Sequence, residues 1–190
     1  LDCSQVKVGS TPLQRLARTH YRNSVRDLLH VELDREALPE DEKIGVFDGN
    51  VLISVSDLEV ETYASAAEQA ARLAKPKIET LVACDRPALG EAACAAKFID
   101  DFGERVYRRP LESDERASYV ALFGEFKAGG YPDALRVIVQ TMLQSPNFLY
   151  RVELTPVEPG AVVKTLGAYE LASRLSYFLA STTPDADLLA

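Results

Sequence analysis

The chain has 190 residues, of which 47% are hydrophobic, enough to bury a core in one domain or two small ones. Its net charge of −8 leaves no basic stripe for a phosphate backbone, which argues against nucleic acid as a partner. No apolar run approaches the roughly 18 residues that a membrane span requires.

Taken in chain order, Ser10-Thr11-Pro12 reads as a helix start, a hydroxyl cap followed by proline. Leu13, Leu16, Ala17, Val25 and Leu28 then recur on one helical face, as far as Leu29 or His30. From Val31 to Asn50 the pattern breaks into a loop that ends in a turn at Phe47-Asp48-Gly49-Asn50. A calcium loop there fails, because Leu52 takes the next alternate position and no terminal Glu follows. Val51 to Val55 is β-prone but has no strand partner nearby, so it reads as an extended connector.

Ser56 and Glu59 form a capping box, opening a helix whose interior side is Val60, Tyr63, Ala64, Ala67, Ala70 and Ala71. So much alanine implies close approach of a neighbouring helix, and Lys75-Pro76 ends this one. A further helix spans Glu91 to Phe102 with Ala95, Phe98, Ile99 and Phe102 inward, and Gly103 falls where a left-handed cap is wanted. The next, from Ser113 to Lys127, repeats Tyr119, Leu122, Phe123 and Phe126 on one face and stops at Gly129-Gly130. Pro132-Asp133 opens another with Leu135, Ile138, Val139, Met142 and Leu143 inward, closing at Ser145-Pro146. Residues 147–154 carry no secure assignment, and Thr155 to Lys164 reads as a linker. Thr165 caps a last full helix with Ala168, Leu171, Ala172, Leu175, Phe178 and Leu179 on its core face, and Thr182-Thr183-Pro184 announces one more. The fold expected is all-α: an irregular bundle of about six helices with long loops and no substantial sheet. Its expected modules are 1–75, 76–155 and 156–190.

Cys84 and Cys94 bracket a segment in which Pro87 and Gly90 permit a turn. A disulfide closing that turn is the preferred reading, with Cys3 the odd thiol out; three buried, reduced cysteines are the alternative. There is no CxxCH and no zinc set, so neither haem c nor a metal is expected within this chain. Arg105, Arg108 and Arg109 sit among Asp100, Asp101, Glu104, Glu112, Asp114 and Glu115 in a connection that Pro110 keeps non-helical. Local pairing of each guanidinium with a carboxylate is the plain reading. An anion site needs at least one of the three left unpaired at a cleft. His20 and His30 flank the first helix in polar company and read as ordinary. With no GxSxG and no HExxH, a self-contained hydrolase lacks support.

Four ordered phrases carry a resemblance: LQRLARTHYRNSVRDLL from Leu13 to Leu29, YRRPL from Tyr107 with Glu115, LQSPNFLYR from Leu143 with Glu153, and ELASRLSYFL from Glu170 with Pro184-Asp185. Together they resemble the planctomycete cytochrome-associated surface proteins, bacterial multidomain proteins whose modules are mostly of unknown function. The resemblance implies an exported protein of the periplasm or cell surface, often lipid-anchored, with a c-type haem motif in a later module. It favours an oxidising compartment for Cys84 and Cys94. The chain opens on Leu1 and ends on a helix start with no room to finish, so it is expected to be part of a longer polypeptide. Its expected partners are a haem-bearing C-terminal segment of the same gene product and a redox partner. On that reading Arg105, Arg108, Arg109, Arg151 and Arg174 are candidates for haem-propionate or substrate-anion contacts, and Tyr21, Tyr150 and Tyr177 for a redox path. The alternative is a non-catalytic surface or assembly scaffold.

Overall fold

Short-range capping and stop signals begin and end most of the helices. The computed structural model describes residues 13–41, 43–44, 47–48, 50, 56–156 and 163–190. Along them run α1 (Arg18–Leu29), α2 (Asp57–Ala74), the single turn α3 (Arg86–Leu89), α4 (Glu91–Tyr107) and α5 (Ser113–Phe126). These are followed by α6 (Tyr131–Gln144), the single turn α7 (Pro146–Leu149), α8 (Ala168–Ala180) and the single turn α9 (Ala186–Leu189). Strand β1 (Gln14–Arg15) pairs antiparallel with β4 (Tyr150–Arg151), and β2 (Lys43–Ile44) with β3 (Phe47–Asp48). The fold is all-α, with six longer helices among the described residues and, besides an isolated Arg15–Asn50 bridge, these two-residue pairings. Cys3, the helix start at residues 10–12, the connector 51–55 and the loop around Pro159 and Gly160 lie outside the described residues.

The α2–α6 contact organises the core. Ser56 Oγ accepts the Glu59 N–H at 3.3 Å and Glu59 Oε2 accepts the Ser56 N–H at 2.9 Å, so α2 starts where the capping box predicts. Its buried side is Tyr63, Ala66, Ala67, Ala70, Ala71 and Ala74. Against that small-residue stripe lies α6, with Leu135, Ile138, Val139, Met142 and Leu143 all fully buried, each such side chain contributing about 1.5–3 kcal/mol of burial. Val60, expected inside, is instead exposed, because the side of α2 that meets α6 begins only at Tyr63. The core is continuous from Leu16 to Tyr177, so residues on both sides of position 75 share it.

Several expectations change. The first helix begins at Arg18, because Leu13 to Ala17 is extended: Leu16 N–H donates to Leu149 O at 2.7 Å and β1 pairs with β4, which also accounts for part of the unassigned stretch 147–154. Gly103 is no cap but lies inside α4, where a Cβ would meet Leu111 Cδ1 at 2.7 Å; the glycine is there for close packing. The left-handed cap is Arg108, at φ 60°. Arg105 therefore belongs to the last turn of α4, not to the connection. α5 buries only Tyr119 and Phe123, leaving Phe126 exposed, so it is a peripheral helix rather than a strongly two-faced one. α9 is capped by the Asp185 side chain, not by a threonine.

The largest change is in α8. Thr165 does not cap it; Gly167 stands at its start, with Glu170 Oε2 accepting the Gly167 N–H and Oε1 the Thr155 N–H. Its inward residues are Ala172, Ser173, Ser176 and Tyr177, whereas Leu171, Leu175, Phe178 and Leu179 are exposed, Phe178 at 84%. The helix faces α1 through polar contacts: the hydroxyls of Tyr177 and Ser24 lie 3.1 Å apart, Thr183 N–H donates to Ser24 Oγ, and Asn23 Nδ2 donates to Ser181 O.

Cys84 and Cys94 are disulfide-bonded, with Cα atoms 5.7 Å apart. Asp85 caps the intervening turn α3, whose Pro87 sits in its first turn, and Gly90 at φ 83° redirects the chain into α4. The bond thus clasps the start of α4 to the segment that precedes it.

Candidate functional site

The five candidate arginines meet different partners. Arg109 makes two parallel bonds to Glu115, at 2.9 and 2.8 Å, and Glu115 also accepts Asn147 Nδ2 and the Glu112 N–H. The Arg109 bonds hold the Glu115 carboxyl below the usual carboxylate range. Arg174 is paired with Glu153 at 2.6 Å.

Arg108 is 4% exposed and meets no carboxylate among the described residues. Its guanidinium donates to Asn147 O at 2.7 Å, Tyr150 O at 2.8 Å, Phe148 O and Val106 O at 3.3 Å, and to the Tyr177 hydroxyl at 3.3 Å. It closes the end of α4 onto α7 and β4, so this arginine is a structural clasp. Of the triad, only Arg109 has the carboxylate that sequence proximity offered to all three. Asp100 pairs with Arg116 and Asp101 with Lys97 instead.

Arg105 and Arg151 differ from the other three. Among the described residues, the one hydrogen bond from the Arg105 guanidinium goes to Asp27 O at 3.4 Å, and burial lowers its pKa. Arg105 lines an open cleft of about 820 Å³ with Leu175, Leu179, Pro184 and Leu188, and an adjoining one of about 480 Å³ with Leu81 and Lys97. The acids of the larger cleft are partly committed, Asp27 to Arg26 and Asp185 to the Leu188 N–H. Arg151 makes no side-chain hydrogen bond or ion pair with any described residue, although it is half-buried. Burial lowers its pKa, the nearby cations Arg108 and Arg174 add to that, and Tyr177 and Glu153 oppose it.

Tyr177 joins these groups. Its ring lies 5.7 Å from the Arg108 guanidinium carbon, 5.9 Å from that of Arg151 and 5.3 Å from the His20 ring. His20, ordinary by sequence, is half-buried here. Burial lowers its pKa, Arg151 acts in the same direction, and Asp41 opposes them. Nothing local to His20 signals this, since Tyr177 is far away in the chain. Of the other tyrosines, Tyr21 is fully buried with a hydroxyl that meets no partner among the described residues, packed on Tyr63 and Phe148. Arg15 is a further buried cation that sequence reading placed on a helix. Its Nη2 pairs with Glu59 at 2.8 Å while Nε and Nη1 meet no acceptor among the described residues.

Among the described residues no group of three or more His, Cys, Asp or Glu side chains could hold a metal, and no helix is long and apolar enough to cross a membrane. What the arrangement can do chemically is bind: besides the committed Arg108, it offers two guanidinium groups, Arg105 and Arg151, that pair with no carboxylate of the described residues, and one exposed apolar helix face.

Three family models match the chain in order. Residues 14–75 match PSD3, a protein of unknown function (DUF1587); residues 94–153 match PSD5, a protein of unknown function (DUF1595); residues 166–190 match PSD4, a protein of unknown function (DUF1592). The chain is thus similar to domains of unknown function along most of its length. No curated protein and no solved structure matches it.

Proposed function

We propose that this chain is the helical portion of an exported, c-type-haem-associated protein, and that its role is to seat a haem-bearing segment of the same gene product. The observation that carries the reading is α8. Its Leu171, Leu175, Phe178 and Leu179 form one exposed stripe at helical spacing, while the opposite side is fixed to α1 by hydrogen bonds. Arg105, in the cleft that Leu175 and Leu179 also line, supplies a cation for a carboxylate on the seated segment, whether a haem propionate or an acidic side chain. The Cys84–Cys94 disulfide suits an oxidising compartment, the periplasm or cell surface. On this reading the chain holds no cofactor itself, and electron transfer or oxidation belongs to the seated module.

The test is purification of the native assembly, followed by its visible absorption spectrum and by cross-linking from α8. A haem spectrum with cross-links between α8 and a haem peptide is expected. An assembly without haem would remove the redox reading, and haem without contact at α8 would remove the seating role.

A further inference from the structure

The positive charge around Tyr177 is out of keeping with a chain of net charge −8. Arg108 lies deep against the ring, held by backbone carbonyls that carry no formal charge. Arg151 approaches the same ring with no acceptor among the described residues, and His20 packs on it at 5.3 Å. The acids that act on these two groups, Glu153 on Arg151 and Asp41 on His20, each hold other donors as well. Glu153 is held by Arg174, and Asp41 accepts the Arg18 N–H at 2.8 Å and Asn50 Nδ2 at 2.9 Å. A half-buried guanidinium beside a second cation, with its fork of donors unanswered, is a poor arrangement for stability alone. It becomes favourable when an oxyanion enters.

We propose that Arg151 and His20 form an oxyanion-binding site at the Tyr177 ring, which takes a phosphate or carboxylate group. Arg151 presents a planar fork that matches two oxygens of such a group, and the His20 imidazole supplies a further N–H. Arg108 contributes its charge from below without leaving its carbonyls. β4 positions Arg151 through its pairing with β1, and α1 positions His20, so both side chains stand on paired or helical backbone. Burial and Arg151 lower the pKa of His20, and an anion bound between them would raise it. This site is separate from the α8 face and does not depend on haem.

The experiment follows the imidazole carbon-bound protons of His20 by NMR during titration with inorganic phosphate and, in parallel, with acetate, with His30 as internal control. A saturable shift of His20 and an upward move of its pKa are expected while His30 stays still. Saturation by phosphate alone identifies a phosphate site, and saturation by both identifies a site for either group. R151Q should abolish the response with little change in melting temperature, since the Arg151 side chain makes no hydrogen bond or ion pair with any described residue and gives up only its packing on the Tyr177 ring. Should R151Q fail to fold, R151K keeps the charge, removes the fork, and should weaken the phosphate response. The proposal is overturned if neither anion saturates, or if the His20 shift survives R151Q.

Discussion

Arg108 holds a left-handed backbone conformation that costs a non-glycine residue about 1–2 kcal/mol, and the bonds of its guanidinium offset that cost. Replacing it with alanine keeps the strain and strands the carbonyls of Asn147, Phe148 and Tyr150. We expect R108A to lose about 3 kcal/mol or more in urea unfolding, with R108G losing less because glycine relieves the backbone. Arg109 is paired but only partly buried, at 18% side-chain exposure, so R109A should cost about 2 kcal/mol, less than a fully buried pair would.

The pH dependence follows from groups whose folded pKa values are lowered. Glu115 owes its shift first to Arg109, and Glu59 to the Ser56 N–H. Their contribution is complete above the unfolded carboxylate pKa of about 4.3 and is lost as pH falls through the folded values. Burial, and Arg151 after it, lower the folded pKa of His20, so the unfolded chain takes up its proton first, and stability begins to fall below about pH 6.5. Urea midpoints measured across this range should show two acid-side declines. E115Q should flatten the lower one and H20Q the upper. A midpoint independent of pH between about 7 and 5 would contradict a lowered His20 pKa.

At the scale of elements, Gly103 and the disulfide place α4. A methyl group at Gly103 would gain helix propensity of about 1 kcal/mol yet meet Leu111 at 2.7 Å, and overpacking of that kind costs about 1–3 kcal/mol. G103A should therefore destabilise. Adding L111A should recover part of that loss, a non-additivity that a double-mutant cycle reads directly. Reduction of Cys84–Cys94 frees a short loop and should lower stability by about 2–3 kcal/mol. A thiol count on the unfolded, unreduced protein should find Cys3 alone; three reactive thiols would refute the bond.

For the molecule as a whole, α8 decides the behaviour in solution. An isolated chain with Leu171, Leu175, Phe178 and Leu179 exposed should bind a hydrophobic dye or self-associate. Paired substitutions L175E and F178E should abolish that behaviour with little change in melting temperature, because neither side chain belongs to the buried core. A large drop in melting temperature would mean that this face is needed by the chain's own core.

The capping box at Ser56, the stop at Gly129-Gly130, the inward face of α6, the Cys84–Cys94 turn and the all-α class were legible in the sequence by itself. Each depends on residues within about a dozen positions of one another, where backbone geometry and hydrophobic spacing decide. The direction in which α8 faces, the burial of Gly103 inside a helix and the β1–β4 pairing that shortens α1 were decided only by the tertiary structure. In α8 the apolar stripe is real, but hydrogen bonds of Tyr177, Ser181 and Thr183 with Asn23 and Ser24, distant in the chain, turn it outward. The same holds for the arginines. Proximity along the chain offered carboxylates to all of the triad, yet a guanidinium pairs with what the fold brings within reach, which left Arg105 at a cleft and Arg151 beside His20 and Tyr177.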